Sequence, residues 1–465
     1  MKSRKQPHWL LLLSSFVLAV CLVVFIGESR WSVISSYVRQ AESPVVTPTP
    51  TPTPPPREAI EFRMTDFDHG WVRYADGTVK TEDGGETWLD AGGVLPSESP
   101  SSTTAVDKVI NELMNLGAGS SNATDNPLAI TMDTGTYPVK QSQFLTARIG
   151  WALLADPKDA ANVKSPLLVT ADGGQTWNEQ ITPAVKDALL KEKDRLQKLK
   201  KEVALYASAD IAKAVIGSKW KLVPDTASPG DVVLVRRDEP GSVTWLGKTY
   251  TLQPFGAGYF TYLPITMQAK PGKYPISDET LTIQAKKFDT QYLKVTEQME
   301  SMKQDTGRIQ ADQKKIDLAR SKSEPEFLFS GPFVQPIEGV LTTPYGYTRY
   351  VNGKYDSSHM AIDLAAKEGT PIKATNDGVV ALADALYLTG NSIYIDHGMG
   401  LFSQYAHLSE LRVKAGDRVK VGDIIGLVGT TGFSTGPHLH FTFWAHNVQA
   451  NPNLFFNTTP FQWQK

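Results

Sequence analysis

The pattern of hydrophobic and polar positions changes several times along the chain. Residues 9–27, WLLLLSSFVLAVCLVVFIG, form an uncharged apolar run that is long enough, at about 1.5 Å per residue, to cross the hydrocarbon core of a membrane. Lys2, Arg4 and Lys5 precede this run and should stay on the cytoplasmic side. The pattern therefore predicts a cytoplasmic N-terminus at 1–8 and an uncleaved transmembrane signal anchor, with the bulk of the chain extracytoplasmic.

One alternative for this segment stays open. The sequence Leu18-Ala-Val-Cys21 resembles a bacterial lipoprotein box, although Val20 stands where a small residue is usual and the apolar run continues past the cysteine. Residues 28–56 follow as a Pro/Thr-rich stretch containing SPVVTPTPTPTPPP, which favours extended polyproline II. This composition predicts a linker that is either a stiff stalk or a disordered spacer.

Short alternating runs with glycine turns fill residues 57–180 and predict a β region. The phrase TEDGGETW at 81–88 returns as TADGGQTW at 170–177, and both fit the Asp-box pattern [ST]-x-D-x-G-x-T-W. An aspartate in this place can cap the N–H groups of a tight turn whose glycines accept positive φ. The repeats resemble blades of sialidase-type propellers, but the segment has room for two or three blades and not for a closed propeller. We therefore expect a scaffold or binding role.

Two helical stretches alternate with a further β module. Residues 181–218 place leucines at helical spacing among mixed charges and predict an amphipathic connector. Residues 219–285 alternate in short runs with Pro-Gly turns and predict a β-sandwich-like module. In residues 286–325, apolar positions from Tyr292 to Ile316 step by three and four, which predicts a heptad-like helical segment. This segment either packs against its own domain or serves as a partner helix or a lid over an active site.

The last part of the chain, residues 326–465, is a series of short β runs punctuated by glycine. With the modules before it, this part predicts a multidomain, mainly β protein with an all-β, antiparallel C-terminal domain. Most of the histidines lie here: His359, His397, His407, His438, His440 and His446.

The amino-acid composition limits which ligands and cofactors the protein can bind. The chain has 47 Lys and Arg against 49 Asp and Glu, so it lacks the basic footprint of a nucleic-acid-binding protein. A single cysteine, Cys21, excludes an internal disulfide, a cysteine-ligated zinc and an iron–sulfur cluster. A metal in this protein must therefore use histidine and carboxylate ligands.

Two motifs carry such ligands: SHMAID with His359 and Asp363, and GPHLHF with His438 and His440. Residues an even number apart share one face of a strand, so each pair can point to one site. Two histidine nitrogens and a carboxylate oxygen are typical of catalytic zinc, which can lower the pKa of a water to about 7 and polarise a scissile carbonyl. The sequence has no His-Glu-x-x-His glutamate, so a spare histidine of the second pair, together with His407, would handle protons.

A longer series of motifs resembles the lysostaphin-type (LytM-type) zinc endopeptidases of peptidoglycan, peptidase family M23. The resemblance implies an antiparallel fold of the duplicated-hybrid-motif type and one Zn²⁺ held by His359, Asp363 and His440. It also implies that His407 and His438 are the catalytic histidines. The series runs through residues 336–452 and includes TPYG at 343–346, HxxxD at 359–363, DHG at 396–398, YxHL at 405–408 and GPHLHF at 436–441.

The remaining candidates are less sharply defined. Tyr405 lies two residues from His407, and so on its face of a strand, where it either contacts substrate or packs. Asn391 is a second candidate for substrate contact, with a turn role equally open. We interpret His397, at a strand end, as structural, and His446 as an exposed residue beyond the motifs.

These observations predict a membrane-anchored, extracytoplasmic zinc metalloendopeptidase that hydrolyses peptide bonds in the stem or cross-bridge peptides of peptidoglycan. The expected partners are peptidoglycan and, through residues 9–27, the membrane, without nucleic acid. A protein partner at the 286–325 segment or the Asp-box region is left open. The alternative function is a non-catalytic cell-wall-binding adaptor or activator of other hydrolases. A sialidase-like function rests on the Asp boxes alone and predicts metal-independent activity.

Overall fold

The structure, a computed structural model, consists mostly of strands, which confirms the prediction of a mainly β, multidomain protein. The predicted anchor at 9–27 and the linker at 28–56 lie outside the described residues. In the part of the chain that is described, no helix combines the length and apolarity needed to cross a membrane. The described residues are 58–92, 104–115, 128–155 and 165–463.

Two antiparallel four-stranded sheets occupy the N-terminal part of the described chain. In the first sheet, Asp83 Oδ1 accepts hydrogen bonds from Thr81 Oγ1 at 2.8 Å and from Thr87 N at 2.9 Å. The same two bonds form around Asp172 in the second sheet at the same lengths. The repeated phrase thus closes a turn in both sheets, while its kinship with propeller blades stays a prediction. The strands are β1 (Ala59–Met64), β2 (Gly70–Tyr74), β3 (Gly77–Thr81), β4 (Leu89–Asp90), β5 (Ala129–Met132), β6 (Gly135–Phe144), β7 (Gly150–Leu154) and β8 (Leu167–Thr170).

Three helices pack against one another: α1 (Ala105–Asn115), α2 (Pro183–Val203) and α3 (Ala209–Ile216). Helix α2 begins after Thr182, whose side chain accepts a hydrogen bond from the Val185 backbone N–H and so caps the first turn. Its apolar positions, among them Leu189 and Leu199, are buried in a core cluster that also contains Phe62 of the first sheet and Phe441 of the C-terminal domain. The helices therefore join the N-terminal sheets to the rest of the described chain.

A second β module follows, with a four-stranded sheet, a three-stranded sheet and a hairpin. Buried side chains such as Leu222, Val233 and Leu281 give it a core cluster of its own. Its strands are β9 (Trp220–Val223), β10 (Thr226–Ala227), β11 (Val232–Arg237), β12 (Ser242–Trp245), β13 (Lys248–Thr251), β14 (Gln253–Phe255), β15 (Gly258–Pro264), β16 (Gly272–Ile276) and β17 (Glu279–Ile283).

A buried ion pair ties this module to helix α2. Arg236 Nε donates to Glu202 Oε1 at 2.8 Å, and both side chains are almost completely buried. The remaining groups are also partnered, because Glu202 Oε2 accepts from the Ala257 backbone N–H and Arg236 Nη1 donates to the Ser218 carbonyl. The geometry satisfies both charges inside the protein.

We expect Arg236→Met to lower the free energy of unfolding by about 3–5 kcal/mol, because it leaves the Glu202 carboxylate buried without its partner. The double variant Arg236→Met/Glu202→Met should recover part of this loss, because it removes both charges at once. Urea unfolding of the three proteins measures the effect. A loss below about 1 kcal/mol for Arg236→Met would show that the pair has little influence on stability.

Residues 286–325, predicted to be a heptad-like helical segment, form one strand and two helices. These are strand β18 (Thr290–Leu293), helix α4 (Glu297–Met302) and helix α5 (Thr306–Ala319). Tyr292, the first position of the stripe, lies in the strand, which pairs with residues 348–351. Asp305 caps α5 by accepting from the Arg308 N–H and so separates the two helices before Gly307. The segment is therefore helical in two separate parts and not around Tyr292, and its last heptad position, Ile316, packs on the C-terminal domain.

The C-terminal domain is built on a ten-stranded sheet in which every pair is antiparallel, as predicted, beside a three-stranded sheet of β18, β20 and β21. The central order β19-β22-β29-β26-β25-β24-β27 places the strands with the metal-site motifs side by side. The strands are β19 (Val340–Thr343), β20 (Thr348–Val351), β21 (Lys354–Ser358), β22 (Ile362–Ala365), β23 (Pro371–Lys373), β24 (Gly378–Leu386), β25 (Gly390–Asp396), β26 (Leu401–Leu411), β27 (Arg418–Val419), β28 (Ile424–Val428), β29 (His438–Ala445) and β30 (Val448–Ala450).

Candidate metal centre

Three neighbouring strands bring the predicted metal-site residues together. Asp363 on β22 lies directly opposite His440 on β29, and His440 lies opposite Ala406 on β26. His438 precedes His440 by two residues and so shares its face. The strand-face prediction holds for these side chains. His359 differs, because it follows β21 and lies outside a strand, where its backbone N–H donates to the Tyr347 carbonyl at 2.8 Å.

The donor atoms of His359, Asp363 and His440 form a compact triangle. Asp363 Oδ1 lies 3.1 Å from His359 Nε2 and 2.9 Å from His440 Nδ1, and the two nitrogens are 3.3 Å apart. In a tetrahedral zinc site with bonds of about 2.0–2.1 Å, ligand atoms lie about 3.3 Å from one another. The residues therefore fit a zinc ion. The choice of His440 over His438 as ligand also fits, because His438 Nε2 is farther from Asp363, at 3.8 Å.

The electrostatics of the triangle suit a metal cation. Burial lowers the pKa of His359 and favours the neutral imidazole that binds metal. Burial alone would raise the pKa of Asp363, but its hydrogen bonds to His359 and His440 hold this pKa well below its usual range. The site thus presents one carboxylate and two imidazoles, a donor set typical of catalytic zinc.

His407 and His438 stand beside this triangle with their rings 4.8 Å apart. His407 Nδ1 lies 2.8 Å from the Thr431 carbonyl and His438 Nδ1 lies 2.8 Å from the Gly436 carbonyl. Each Nδ1–H donates to its carbonyl, so each Nε2 is left free to accept a proton. Burial first, then the neighbouring His440 and His438, lowers the pKa of His407 to about 3, and its ring is neutral near pH 7.

Of the two roles left open for Tyr405, substrate contact and packing, the structure shows packing. Tyr405 is fully buried, its ring packs on Phe441, and its hydroxyl accepts a hydrogen bond from the Thr375 backbone N–H at 2.8 Å. Strand alternation places Tyr405 and His407 on one face, but the φ angle of +65° at His407 turns the chain there and sends the two side chains apart.

Asn391 is half-buried at the start of β25 and supports the loop that holds His407. Its backbone N–H donates to Thr431 Oγ1 at 3.0 Å, and its side-chain amide donates to the Leu408 carbonyl at 3.1 Å. These bonds position Thr431, whose carbonyl accepts from His407. Contact between Asn391 and substrate stays a prediction.

The two histidines interpreted as lying outside the site have clear partners. His397 is buried, with Nδ1 2.7 Å from the Asp377 carbonyl and Nε2 2.8 Å from Ser403 Oγ, in agreement with a structural role. The prediction of an exposed His446 is wrong. Its Nε2 lies 3.0 Å from Thr261 Oγ1, because the turn after β29 packs against the second β module.

A second group of potential ligands in the described residues, Asp66, Asp68 and His69, lies at the surface of the first sheet. Lys193 already pairs with Asp68, and His69 Nδ1 is bonded to Asp66. These contacts within the protein explain why the three side chains lie together.

Lys303, between α4 and α5, contacts two stretches of chain that precede metal-site residues. The Lys303 ammonium bonds Asp356 on β21, three residues before His359, and lies 4.8 Å from the ring centroid of Phe433, five residues before His438. Lys303 therefore ties the segment between the two helices to both of these stretches.

The sequence alone does not reveal all of the side chains that hold Asp363 in place. Arg349 Nη2 lies 3.5 Å from Asp363 Oδ2, and Arg349 Nε donates to Gln291 Oε1 at 3.1 Å. Gln291 in turn donates to Thr343 Oγ1 at 2.9 Å. Arg349 lies within residues 336–452, where the family resemblance runs, but Gln291 comes from a strand far upstream, and no local pattern connects it with the site.

We expect Arg349→Met to weaken zinc binding about 10- to 100-fold, because outer residues that orient a ligand contribute on this scale. Competition with a colorimetric zinc chelator measures the dissociation constant. Arg412→Met is the matched control, because Arg412 is exposed and pairs with Glu410 away from the site. An unchanged zinc affinity of Arg349→Met would show that Arg349 does not position Asp363.

An antiparallel β domain that gathers two histidines, an aspartate and two further histidines defines a metallopeptidase-type domain. The model of peptidase family M23 matches residues 357–452. The C-terminal part of the chain is therefore a peptidase M23 domain of the LytM/lysostaphin type.

Similar proteins share this part of the chain. The peptidoglycan DD-endopeptidase ShyC of Vibrio cholerae is 43% identical over 95 residues, which are 20% of this chain and 22% of ShyC. The glycyl-glycine endopeptidase ALE-1 of Staphylococcus capitis is 43% identical over 117 residues, 25% of this chain and 30% of ALE-1. A crystal structure of a putative M23 peptidase from Pseudomonas aeruginosa, 25% identical, covers 50% of this chain and 95% of that chain with a TM-score of 0.38. The chain thus spans less than a third of the length of these curated relatives.

Proposed function

We propose that the protein is a membrane-anchored, extracytoplasmic zinc endopeptidase that hydrolyses peptide bonds in cell-wall peptidoglycan. The single observation that carries this proposal is the meeting of five side chains at one site: His359, Asp363 and His440 in ligand geometry, with His407 and His438 beside them. The named activities of ShyC and ALE-1, both endopeptidases, support a peptide bond as the target. The anchor at 9–27 is supported by its sequence.

The five residues of the site have two kinds of role, zinc binding and proton transfer. His359, Asp363 and His440 would hold the zinc ion, which would supply an activated water and polarise the scissile carbonyl. His407 and His438 each keep Nδ1–H bonded to a backbone carbonyl, so Nε2 of a neutral ring can accept a proton. A ring that has taken up a proton at Nε2 can then donate it as a hydrogen bond to developing negative charge. The backbone bonds fix both rings, so little reorganisation is needed as a proton moves.

All five side chains of the site are present, and this argues against the alternative of a non-catalytic cell-wall-binding adaptor. An adaptor that only binds cell wall has no need for three ligand atoms about 3 Å apart with two oriented histidines beside them. The geometry therefore supports hydrolysis as the function of the C-terminal domain.

Metal removal and restoration tests this proposal. The full chain, purified in mild detergent, is added to a suspension of purified peptidoglycan as prepared, after treatment with a chelator, and after reloading with zinc. We expect loss of turbidity with the untreated protein, none after chelation, and recovery with zinc. A folded protein that binds about one zinc per chain and leaves the suspension unchanged would contradict the proposal.

A further inference from the structure

Three tyrosine side chains form a row on the small sheet that supports the metal centre. Tyr292 on β18 lies opposite Tyr350 on β20, and Tyr350 lies opposite Tyr355 on β21. The ring centroids of Tyr292 and Tyr350 are 5.3 Å apart, and those of Tyr350 and Tyr355 are 5.9 Å apart. We call these three residues the tyrosine row.

The tyrosine row is open to solvent. The two outer residues, Tyr292 and Tyr355, are 74% and 64% exposed, and Tyr350 between them is half-buried. Cross-strand aromatic pairs stabilise a sheet, but this role gives no reason to leave the two outer rings mostly in water. A contiguous group of exposed aromatic side chains is typical of a binding surface, where a ring supplies apolar area and its hydroxyl a hydrogen bond.

The tyrosine row lies on the same strands as the side chains that support the metal centre. Gln291 and Arg349, each next to a tyrosine of the row, are also opposite each other, and Arg349 reaches Asp363. One face of the sheet therefore holds the metal-ligand support and the other carries the row. Tyr355 precedes His359 by four residues, so at most about 14 Å of extended chain separates them.

We infer that the tyrosine row binds sugar rings of the peptidoglycan glycan strand while an attached peptide lies at the metal centre. This inference rests on the proposed function and adds a glycan contact to it. The stem peptides of peptidoglycan are only a few residues long, and an extended peptide of four residues spans about 14 Å. A sugar attached to a peptide at the metal centre is therefore held within reach of the row.

The chemistry of the row fits a neutral sugar. One face of a sugar ring presents C–H groups with partial positive charge, which complements the negative face of a phenol ring. The rings of Tyr292 and Tyr350 are tilted by 30° to each other, and the ring of Tyr355 is turned by 77° from that of Tyr350, so the row offers ring faces in more than one orientation. The tyrosines are uncharged, and the phenol hydroxyls can exchange hydrogen bonds with sugar hydroxyls.

Two substrates separate a glycan contact from a general effect on catalysis. One is intact peptidoglycan, and the other is the cross-linked peptide released from it by an amidase and freed of sugar. For the full chain carrying Tyr292→Ala/Tyr355→Ala, we expect kcat/KM on intact peptidoglycan to fall about tenfold, mainly through KM, because two aromatic contacts are lost. Hydrolysis of the sugar-free peptide should stay within about twofold of the parent protein.

Two control variants show whether loss of the aromatic rings causes the fall in activity. Tyr292→Phe/Tyr355→Phe keeps both rings and should retain most of the activity on intact peptidoglycan. Leu190→Ala, at an equally exposed apolar position on α2, should leave both substrates unaffected. Equal losses on both substrates, or unchanged hydrolysis of intact peptidoglycan by the alanine variant, would overturn the inference.

A binding measurement keeps the inference separate from catalysis. The full chain is mixed with beads that carry glycan strands from which all peptides have been removed, and the bound fraction is measured after sedimentation of the beads. We expect binding that falls in the alanine variant and persists in the phenylalanine variant. If the variants lose binding to the sugar-free peptide instead, the row is a peptide surface and the inference is wrong. If the zinc-loaded protein hydrolyses neither substrate, the proposed function fails, whatever the glycan binding shows.

Discussion

His359→Ala is expected to abolish both zinc binding and the hydrolysis of peptidoglycan. His359 Nε2 is one of three donor atoms that lie within 3.3 Å of one another, and the two remaining donors cannot hold a catalytic zinc tightly. Because the zinc would supply several kcal/mol of stabilisation to the reacting groups, hydrolysis should fall by at least about 10³-fold.

Atomic absorption on the dialysed protein gives the zinc content, and turbidity loss of peptidoglycan gives the activity. His69→Ala is the control, because His69 is an exposed histidine on the first sheet and should leave both values unchanged. If His359→Ala retained one zinc per chain and the activity of the parent protein, His359 would not be a ligand.

His407→Asn and His438→Ala are expected to have a different result, in which zinc stays bound and hydrolysis falls about 10²- to 10⁴-fold. Both rings present Nε2 beside the ligand triangle, and removal of either ring takes away a proton acceptor without removing a ligand. Asparagine is chosen at position 407 because it tolerates the left-handed φ of +65° found there.

The zinc content of both variants distinguishes a catalytic role from ligation. Zinc near one per chain with a large loss of activity supports the catalytic role. Loss of zinc in His438→Ala together with its retention in a His440 variant would exchange the roles of these two histidines.

The sequence predicts much of the site because strand alternation is a local rule. His438 and His440 share a face, as the spacing indicates, and the register between β22 and β29 places Asp363 opposite His440. Spacing alone does not select His440 over His438 as the ligand. This choice came from the family resemblance, and the distances to Asp363 agree with it.

Other features depend on interactions that a local pattern does not contain. Strand alternation alone predicts that Tyr405 and His407 share a face, because the positive φ at His407 has no strong sequence signal outside glycine. The predicted helix around Tyr292 is a strand because residues 348–351 offer it a backbone partner. The contribution of Gln291 to the site follows from the same long-range pairing, which cannot be read from periodicity.

The chemical nature of the new chain ends in digested peptidoglycan tests the central claim most directly. The zinc-loaded full chain is incubated with purified peptidoglycan, and new amino groups and new reducing sugar ends are counted in the soluble products. Hydrolysis of peptide bonds predicts amino groups that increase with time, no increase in reducing ends, and neither change in His359→Ala. New reducing ends without new amino groups would mean that sugar linkages are cut, and this would contradict a peptidase acting at His359, Asp363 and His440.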